Sequence, residues 1–431
     1  MKKINPKKEI PPKKNTLQKY LWCLPLIAIL SAGIFLRLHN LDFDTQSSLN
    51  RSPDEPIYTA YASVIAHEGL KNGTQISIGE YNKNEKLQGY PPPTRIGYLY
   101  PLALVMRMTG RFDTDLGIYV SCAVSILALF VLAAIVIRFF NPIIAISSCL
   151  LMAFSPMELM LARKVWQDNL MTLVSGILLY LCLEITLGPP NWILLSLFAV
   201  LGGYSLLIKE SGVVIYGLCA IWILAVMLKE RRFKSAVISL LIFLASVGVS
   251  LFFLVSISGG LSDLLQLFRN FSESWSHNHY VVQYQSGPWY ALWKGFFLVN
   301  PFVLFFCLAG SVTILFFERR SAGLCIVFLF FLFLGVASIP KYFKDLRFVS
   351  PIYMLYYLLG ATAVGAGFSW AQKKLKGLWQ LTAIALLIIG MSTAFWIDLA
   401  NFDKIFIQNH AKDLTNDLLN EYSFFGSRSQ Q

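Results

Sequence analysis

The chain is a succession of apolar blocks, most of them close to the roughly 20 residues that cross a bilayer as one helix. They fall at 21–37, 115–138, 142–156, 169–186, 191–208, 211–228, 235–256, 295–317, 323–339, 348–367 and 378–397, which predicts about 11 crossings, each unbroken. Two longer polar stretches, 38–114 and 257–294, read as loops. Segment 96–110 is apolar but short, and is interrupted by Pro101, Arg107 and Gly110; it reads as a helix lying at the interface. Within the first loop, Pro56–Leu70 has helical periodicity, with Ile57, Tyr61, Val64 and Ile65 as its apolar stripe. Lys71-Asn-Gly-Thr and Tyr90-Pro-Pro-Pro93 read as turns. No run of ten-residue strands with alternating polarity appears, which argues against a barrel. The expected architecture is all-α: a polytopic bundle over 21–397 with juxtamembrane helices in its first loop. A basic segment, 1–20, precedes it and a short polar tail, 398–431, follows.

Composition supports this. The chain is 56% hydrophobic and 14% charged, against about 25% charged residues in a soluble domain. The net charge of +12 would suggest nucleic acid if it were spread evenly, and it is not. Lys2, Lys3, Lys7, Lys8, Lys13, Lys14 and Lys19 precede the first block, which reads as an uncleaved signal anchor. With 96–110 not crossing, Arg138, Lys229–Lys234, Arg319-Arg320 and Lys373–Lys376 share the side of the amino terminus. That side holds 17 Lys/Arg against 4 acids, and the other holds 19 against 20. The positive-inside rule makes the first side cytoplasmic. The charge is therefore an orientation signal, and no nucleic-acid partner is expected. The seven cysteines all lie in apolar blocks without metal or disulfide spacing.

This topology gathers the unusual polar residues on the extracytoplasmic side: Asp54 and Glu55; Glu158, Arg163, Lys164 and Asp168; Lys209-Glu210; His277 and His279; and Lys341, Lys344, Asp345 and Arg347. No glycine-rich phosphate loop is present, which argues against ATP-driven transport and hydride transfer. His277 and His279 fit packing or hydrogen bonding better than metal ligation. Acids and bases beside lipid suit one chemistry well: transfer of a sugar from a polyprenyl-phosphate carrier to an acceptor hydroxyl. A carboxylate takes the hydroxyl proton, and lysine or arginine stabilises the departing phosphate. A second acid supports an oxocarbenium-like transition state. Each residue also has a plain structural use. Asp54, Glu55 and Asp168 suit helix N-termini; Lys209 has Glu210 beside it; Lys344 and Arg347 have Asp345. His279, Trp289 and Tyr290 are candidate substrate contacts, and the two aromatics equally suit a membrane interface. The competing function is a transporter or flippase of lipid-linked saccharides, which calls for charges deep in the spans or for broken helices.

The order of short motifs resembles the GT-C superfamily of integral-membrane glycosyltransferases. The branch it resembles holds the dolichyl-phosphate-mannose-protein mannosyltransferases and the lipid A aminoarabinose transferases. The resemblance runs over about 20–370, through Arg37-Leu-His-Asn-Leu, Pro53-Asp-Glu-Pro-Ile-Tyr58, Tyr90-Pro-Pro-Pro, Arg107-Met-Thr-Gly110 and Ser155-Pro156 with Arg163 and Asp168. It continues in Leu207-Ile-Lys209-Glu, Gly287-Pro-Trp-Tyr290 and Lys344-Asp-Leu-Arg347-Phe-Val-Ser-Pro351. It implies Asp54 as general base, Glu55 as its neighbour and Asp168 as second acid. Lys209 and Arg347 would lie near the carrier phosphate, with Lys341 and Lys344 as helpers. It also implies a polyprenyl-phosphate sugar donor, a glycan, lipid or protein acceptor, and a multi-pass protein of the bacterial inner membrane working on its outer face. Members of the superfamily differ in metal use, so a divalent cation stays an open alternative; no ligand set is legible and no other cofactor is implied. Where aminoarabinose transferases carry Glu-Lys-Pro this chain has Tyr-Pro-Pro-Pro, which argues against an aminoarabinose donor. The large extra domains of protein-modifying relatives are missing, so a protein acceptor is not specifically implied.

Overall fold

The computed structural model describes residues 22–39, 41, 51–189, 191–314, 320–409 and 414–426. The basic segment 1–20 and the link residues Glu318 and Arg319 lie outside the described residues, which are helical throughout their regular elements, without a strand. In chain order the helices are α1 (Cys23–Leu38), α2 (Asp54–Glu68), α3 (Leu70–Lys83), α4 (Glu85–Gln88), α5 (Ile96–Thr109), α6 (Thr114–Phe139), α7 (Pro142–Phe154), α8 (Pro156–Ala162), α9 (Asp168–Leu187) and α10 (Trp192–Ile208). They continue as α11 (Ser211–Lys229), α12 (Phe233–Ile257), α13 (Leu261–His277), α14 (His279–Tyr284), α15 (Ala291–Val299), α16 (Pro301–Thr313) and α17 (Arg320–Ser338). A 3-10 turn (Leu346–Ile352) then leads into α18 (Tyr353–Lys374), followed by α19 (Leu378–Phe402) and α20 (Asn416–Tyr422).

Each expected span falls on a helix, but length and composition support fewer than 11 crossings. Among the described residues six helices are long and apolar enough, or up to eight when each bent pair counts as one span. The shorter apolar helices α1, α10 and Ala322–Ser338 of α17 make up the difference from the expected number. The chain is an integral, multi-pass membrane protein. Unbroken spans were expected, and two are broken: α7 and α8 meet at 56°, α15 and α16 at 117°. A proline follows each break. It lacks an N–H and drives the preceding residue out of helical space, so Ser155 and Asn300 are both extended. Asn300 uses the break: its side-chain oxygen caps α16 while its amide donates to Ala394 O and Asp398 Oδ1, both at 2.7 Å. Asp398 and Asn401, expected in a polar tail, are therefore helical and buried, and α20 packs back on α15.

The span Leu346–Lys374 is the most enclosed, with 89% of its apolar stretch buried against 22% for α12. It stands at the centre of the bundle, and the 3-10 turn that opens it is held against α9, α11 and α17. The first loop is folded over residues 51–114. α2 forms as its periodicity predicts, and α5 packs across it and against α10. The expected turn at Lys71-Asn-Gly-Thr instead lies inside α3. The chain reverses at Gly69, whose φ of 81° suits glycine, and Gly73 serves close packing: a Cβ there would sit 2.6 Å from Ile65 Cα. Gly73→Ala should therefore cost about 1–3 kcal/mol through overpacking. Gly79→Ala, which meets open space, should not. Thermal unfolding of the purified variants checks the difference, and equal midpoints would refute the close contact.

Candidate active site

Segments far apart in sequence bring charged residues together at one end of the bundle. Asp54 lies in the first turn of α2, and its Oδ2 accepts from Arg347 Nη1 at 3.0 Å. Arg347 belongs to the 3-10 turn, whose cap residue Asp345 accepts from the Arg347 N–H at 3.0 Å and approaches Nε at 3.6 Å. The guanidinium lies over the rings of Trp166 (4.7 Å) and Phe348 (5.1 Å). Lys209 ends α10 in extended backbone and reaches Asp168 Oδ1 at 2.5 Å, with Ser350 Oγ donating to the same oxygen at 3.4 Å. Its ammonium lies 4.7 Å over Phe348. Burial lowers the Lys209 pKa, with Asp168 working against the shift. The Lys209 and Asp168 side chains are 3% and 1% exposed, Asp345 0% and Asp54 16%. Of the acids that hold Arg347 and Lys209, Asp54 is the one that reaches open space.

A third cation joins them. Arg95, after the proline run, donates through Nη1 to the Tyr58 hydroxyl and through Nη2 to Glu210 Oε2 at 3.2 Å. Burial works against the Arg95 charge, but Glu210 and Tyr58 outweigh it and hold the guanidinium firmly protonated.

Three comparisons bear on what this arrangement is. Residues 92–254 match the family described as dolichyl-phosphate-mannose-protein mannosyltransferase. The fold matches ArnT from Cupriavidus metallidurans in the apo state with a TM-score of 0.53 at 15% identity, covering 92% of this chain and 73% of ArnT. ArnT bound to undecaprenyl phosphate matches with a TM-score of 0.51 at 16% identity, covering 93% and 74%. The oligosaccharyltransferase AglB from Archaeoglobus fulgidus, in complex with an inhibitory peptide and a dolichol-phosphate, matches with a TM-score of 0.55 at 12% identity. That match covers 89% of this chain and 56% of AglB, so the chain spans a little over half of that protein. The chain has the fold of these two proteins, and its residues 92–254 match the mannosyltransferase family. A comparison with curated protein sequences finds no significant match.

The fold does not bring all the expected site residues together. Asp54, Asp168, Lys209 and Arg347 converge, whereas Glu55 is spent on structure. Its Oε1 accepts from Ser52 N (2.7 Å) and its Oε2 from Val165 N (3.0 Å), with Lys164 Nζ at 3.7 Å. Burial pushes its carboxyl up, against Lys164 and those backbone donors. It fastens the start of α2 to the segment before Asp168. Glu55→Ala should cost about 2–3 kcal/mol by orphaning buried donors, read as a lower unfolding midpoint; a midpoint like that of Asp54→Ala would remove the tether. Lys344 likewise leaves the cluster: its Nζ donates to Ser338 O at 2.7 Å and Ala337 O at 3.4 Å, closing the end of α17. Lys341 is exposed and lies 5.7 Å over Tyr342. His279, which opens α14, is exposed, as are Trp289 and Tyr290 in the segment after it, which is tied to 341–344 through Gly287 N and Gln285 O. Glu158 is buried without a hydrogen-bond partner among the described residues, and Arg163 donates to Leu36 O and His39 O. His277 bonds to its own helix at Glu273 O. Among the described residues no group of His, Cys, Asp and Glu is arranged to hold a metal ion.

Sequence reading missed Arg95, Tyr58, Trp166 and Phe348 as site residues. Tyr58 carried a signal, since it lies one helical turn beyond Asp54 and shares its face. Arg95 carried none, because a residue after a proline run belongs to no periodic pattern.

Proposed function

We propose that the protein moves a sugar from a polyprenyl-phosphate carrier to an acceptor hydroxyl on the extracytoplasmic face, with Asp54 as general base. The observation that carries this reading is the 3.0 Å pair of part-exposed Asp54 with Arg347, beside the buried Asp168–Lys209 pair. At rest each cation of the cluster is engaged by an acid. An arriving carrier phosphate competes for Arg347, whose planar guanidinium suits phosphate oxygens. As Arg347 turns to the phosphate, Asp54 regains the lone pairs that a base needs. The acceptor oxygen then bonds to the anomeric carbon and gives its proton to Asp54. The bond from that carbon to the phosphate oxygen breaks, and the carrier phosphate leaves with the electron pair, stabilised by Arg347 and Lys209. Asp168 holds Lys209 in place. The donor class is supported by the carriers named with ArnT and AglB. The side of the membrane is supported by the charge asymmetry of the links.

The test is transfer by the purified protein in liposomes. Undecaprenyl phosphate carrying labelled mannose, glucose, galactose or a pentose serves as donor, and a cell-envelope extract supplies acceptors. A new glycosylated product and released undecaprenyl phosphate are expected, with the product mass naming sugar and acceptor. Transbilayer movement of labelled donor without a covalent product would replace this reading with transport.

A further inference from the structure

α18 leads away from Arg347, and its 22 residues carry the chain about 33 Å. Along its C-terminal half a cavity of about 840 Å³ opens between α18, the end of α16 and the α6–α7 link. Ligand-binding cavities commonly hold about 300–1,000 Å³. Loose packing does not explain this one. α16 and α18 touch just before it, where a Cβ on Gly310 would stand 1.7 Å from Leu359 O. α7 and α18 touch beside it, where a Cβ on Gly365 would meet Ile144 Cγ1 at 2.6 Å. The space arises because α18 lines it with small residues, Ala363, Ala366 and Gly367. They recur at the spacing of one helix face, and that face continues into Trp370 and then Lys373 and Lys374, which also line the cavity. The cavity is therefore apolar at one end and cationic at the other. Trp370 is 56% exposed, as suits an aromatic at a membrane interface. Neither exposed lysine is held in an ion pair among the described residues, whereas Arg138 is engaged by Glu184 at 2.6 Å.

We propose that this cavity is a binding site for an anionic phospholipid of the cytoplasmic leaflet. Helix association in a bilayer rests on close packing rather than on the exclusion of water, so an apolar gap between spans is filled by a lipid chain. That chain lies along Ala363, Ala366 and Ile144, and the headgroup phosphate meets Lys373 and Lys374 beside Trp370. Charge complementarity selects the occupant. Two cations without acids call for an anion, and the apolar remainder calls for a tail, which a free phosphate lacks. Basic pockets between membrane helices on the cytoplasmic side bind acidic headgroups in this way. The side follows from the charge asymmetry of the links. A neighbouring groove of about 470 Å³, between α7, α18 and α19, supplies the contrast. Leu150, Phe154, Phe368 and Leu387 help to line it, and among the described residues no charged side chain does. It would hold the chain of any lipid without choosing a headgroup. The proposed site is independent of the transfer chemistry, and its test needs no sugar donor.

The experiment is native mass spectrometry of the full-length protein in detergent, titrated with phosphatidylglycerol and with phosphatidylcholine of the same chains. Phosphatidylglycerol should bind about 5–30-fold more tightly, the weight of one to two lysines at an anionic surface. Replacing both lysines, Lys373→Gln with Lys374→Gln, should abolish the preference. Lys376→Gln alters a nearby exposed cation outside the cavity and should leave it intact. Ala366→Leu fills the groove with every charge in place and should weaken phosphatidylglycerol binding as much as the lysine pair does. Equal binding of the two lipids, or a preference that survives the double lysine change, overturns the proposal. So does a preference lost equally in Lys376→Gln, or binding undiminished in a folded Ala366→Leu, since either would mean surface charge without a built site. Displacement of phosphatidylglycerol by inorganic phosphate, or by undecaprenyl phosphate in an Arg347→Gln background, would overturn the choice of occupant. The lysines are exposed, so their double variant decides the matter even if Ala366→Leu does not fold.

Discussion

Replacing Asp54 with Asn should lower turnover by about 10²–10⁴-fold, the usual contribution of general base catalysis, while undecaprenyl phosphate binds at least as tightly as before. Asparagine keeps the shape and loses the charge. It cannot take the acceptor proton, so the chemical step slows. It also holds Arg347 less strongly, so the phosphate has less to displace. Arg347 is not orphaned by the change, because Asp345 stays within 3.6 Å and the aromatic faces of Trp166 and Phe348 remain. Initial rates and a binding titration with undecaprenyl phosphate, on the same preparation, read both effects. Turnover that survives would move the base elsewhere, with Asp168 the next carboxylate to consider. Binding that collapses with turnover would make Asp54 part of the site's architecture. If Asp54 served chiefly to favour the helix terminus, the substitution would cost about 0.3–1 kcal/mol of stability and leave the rate alone.

The contrast between Asp54 and Glu55 shows what a sequence can and cannot display. Two acids beside a membrane helix were visible as a pair, and the charge asymmetry placed them with Asp168, Lys209 and Arg347 at one surface. That put Asp54 and Arg347 on one side of the membrane but did not pair them, and their contact spans 293 positions. Yet adjacent residues on a helix point about 100° apart, so one carboxylate meets Arg347 while the other meets the backbone of Val165. Nothing local says which. Lys344 and Arg347 divide in the same way across the 3-10 turn. The apolar blocks were legible because helix length in a bilayer is set by a simple thickness. The breaks at Pro156 and Pro301 were not, because both prolines lie within or against blocks whose average polarity hides a bend. At Gly73 a residue that commonly marks a turn was used for close packing, and only the position of α2 reveals the difference.

Lys209→Met should destabilise the protein by about 3–5 kcal/mol, because it leaves the Asp168 carboxylate buried without its partner. Asp168→Leu should do the same by orphaning the ammonium. Together the two substitutions should recover most of the loss, since an apolar pair of similar volume often replaces a buried ion pair at little cost. The double variant should nevertheless be inactive. Lys209 also reaches Arg347 O at 3.5 Å, and Thr172 joins α9 to Ser350 O. The pair therefore sits where α9 and the Arg347 turn meet, and restoring the packing there does not restore a cation for the leaving phosphate. The exposed pair Arg269–Glu273, 79% and 62% solvent-accessible, is the control: breaking it should leave the unfolding midpoint unchanged. Unfolding midpoints in one detergent, with turnover on the same samples, separate the outcomes. A double variant as unstable as either single would show that Asp168 and Lys209 are held by more than each other. A double variant that still turns over would remove both from the reaction, leaving Asp54 and Arg347 to carry it.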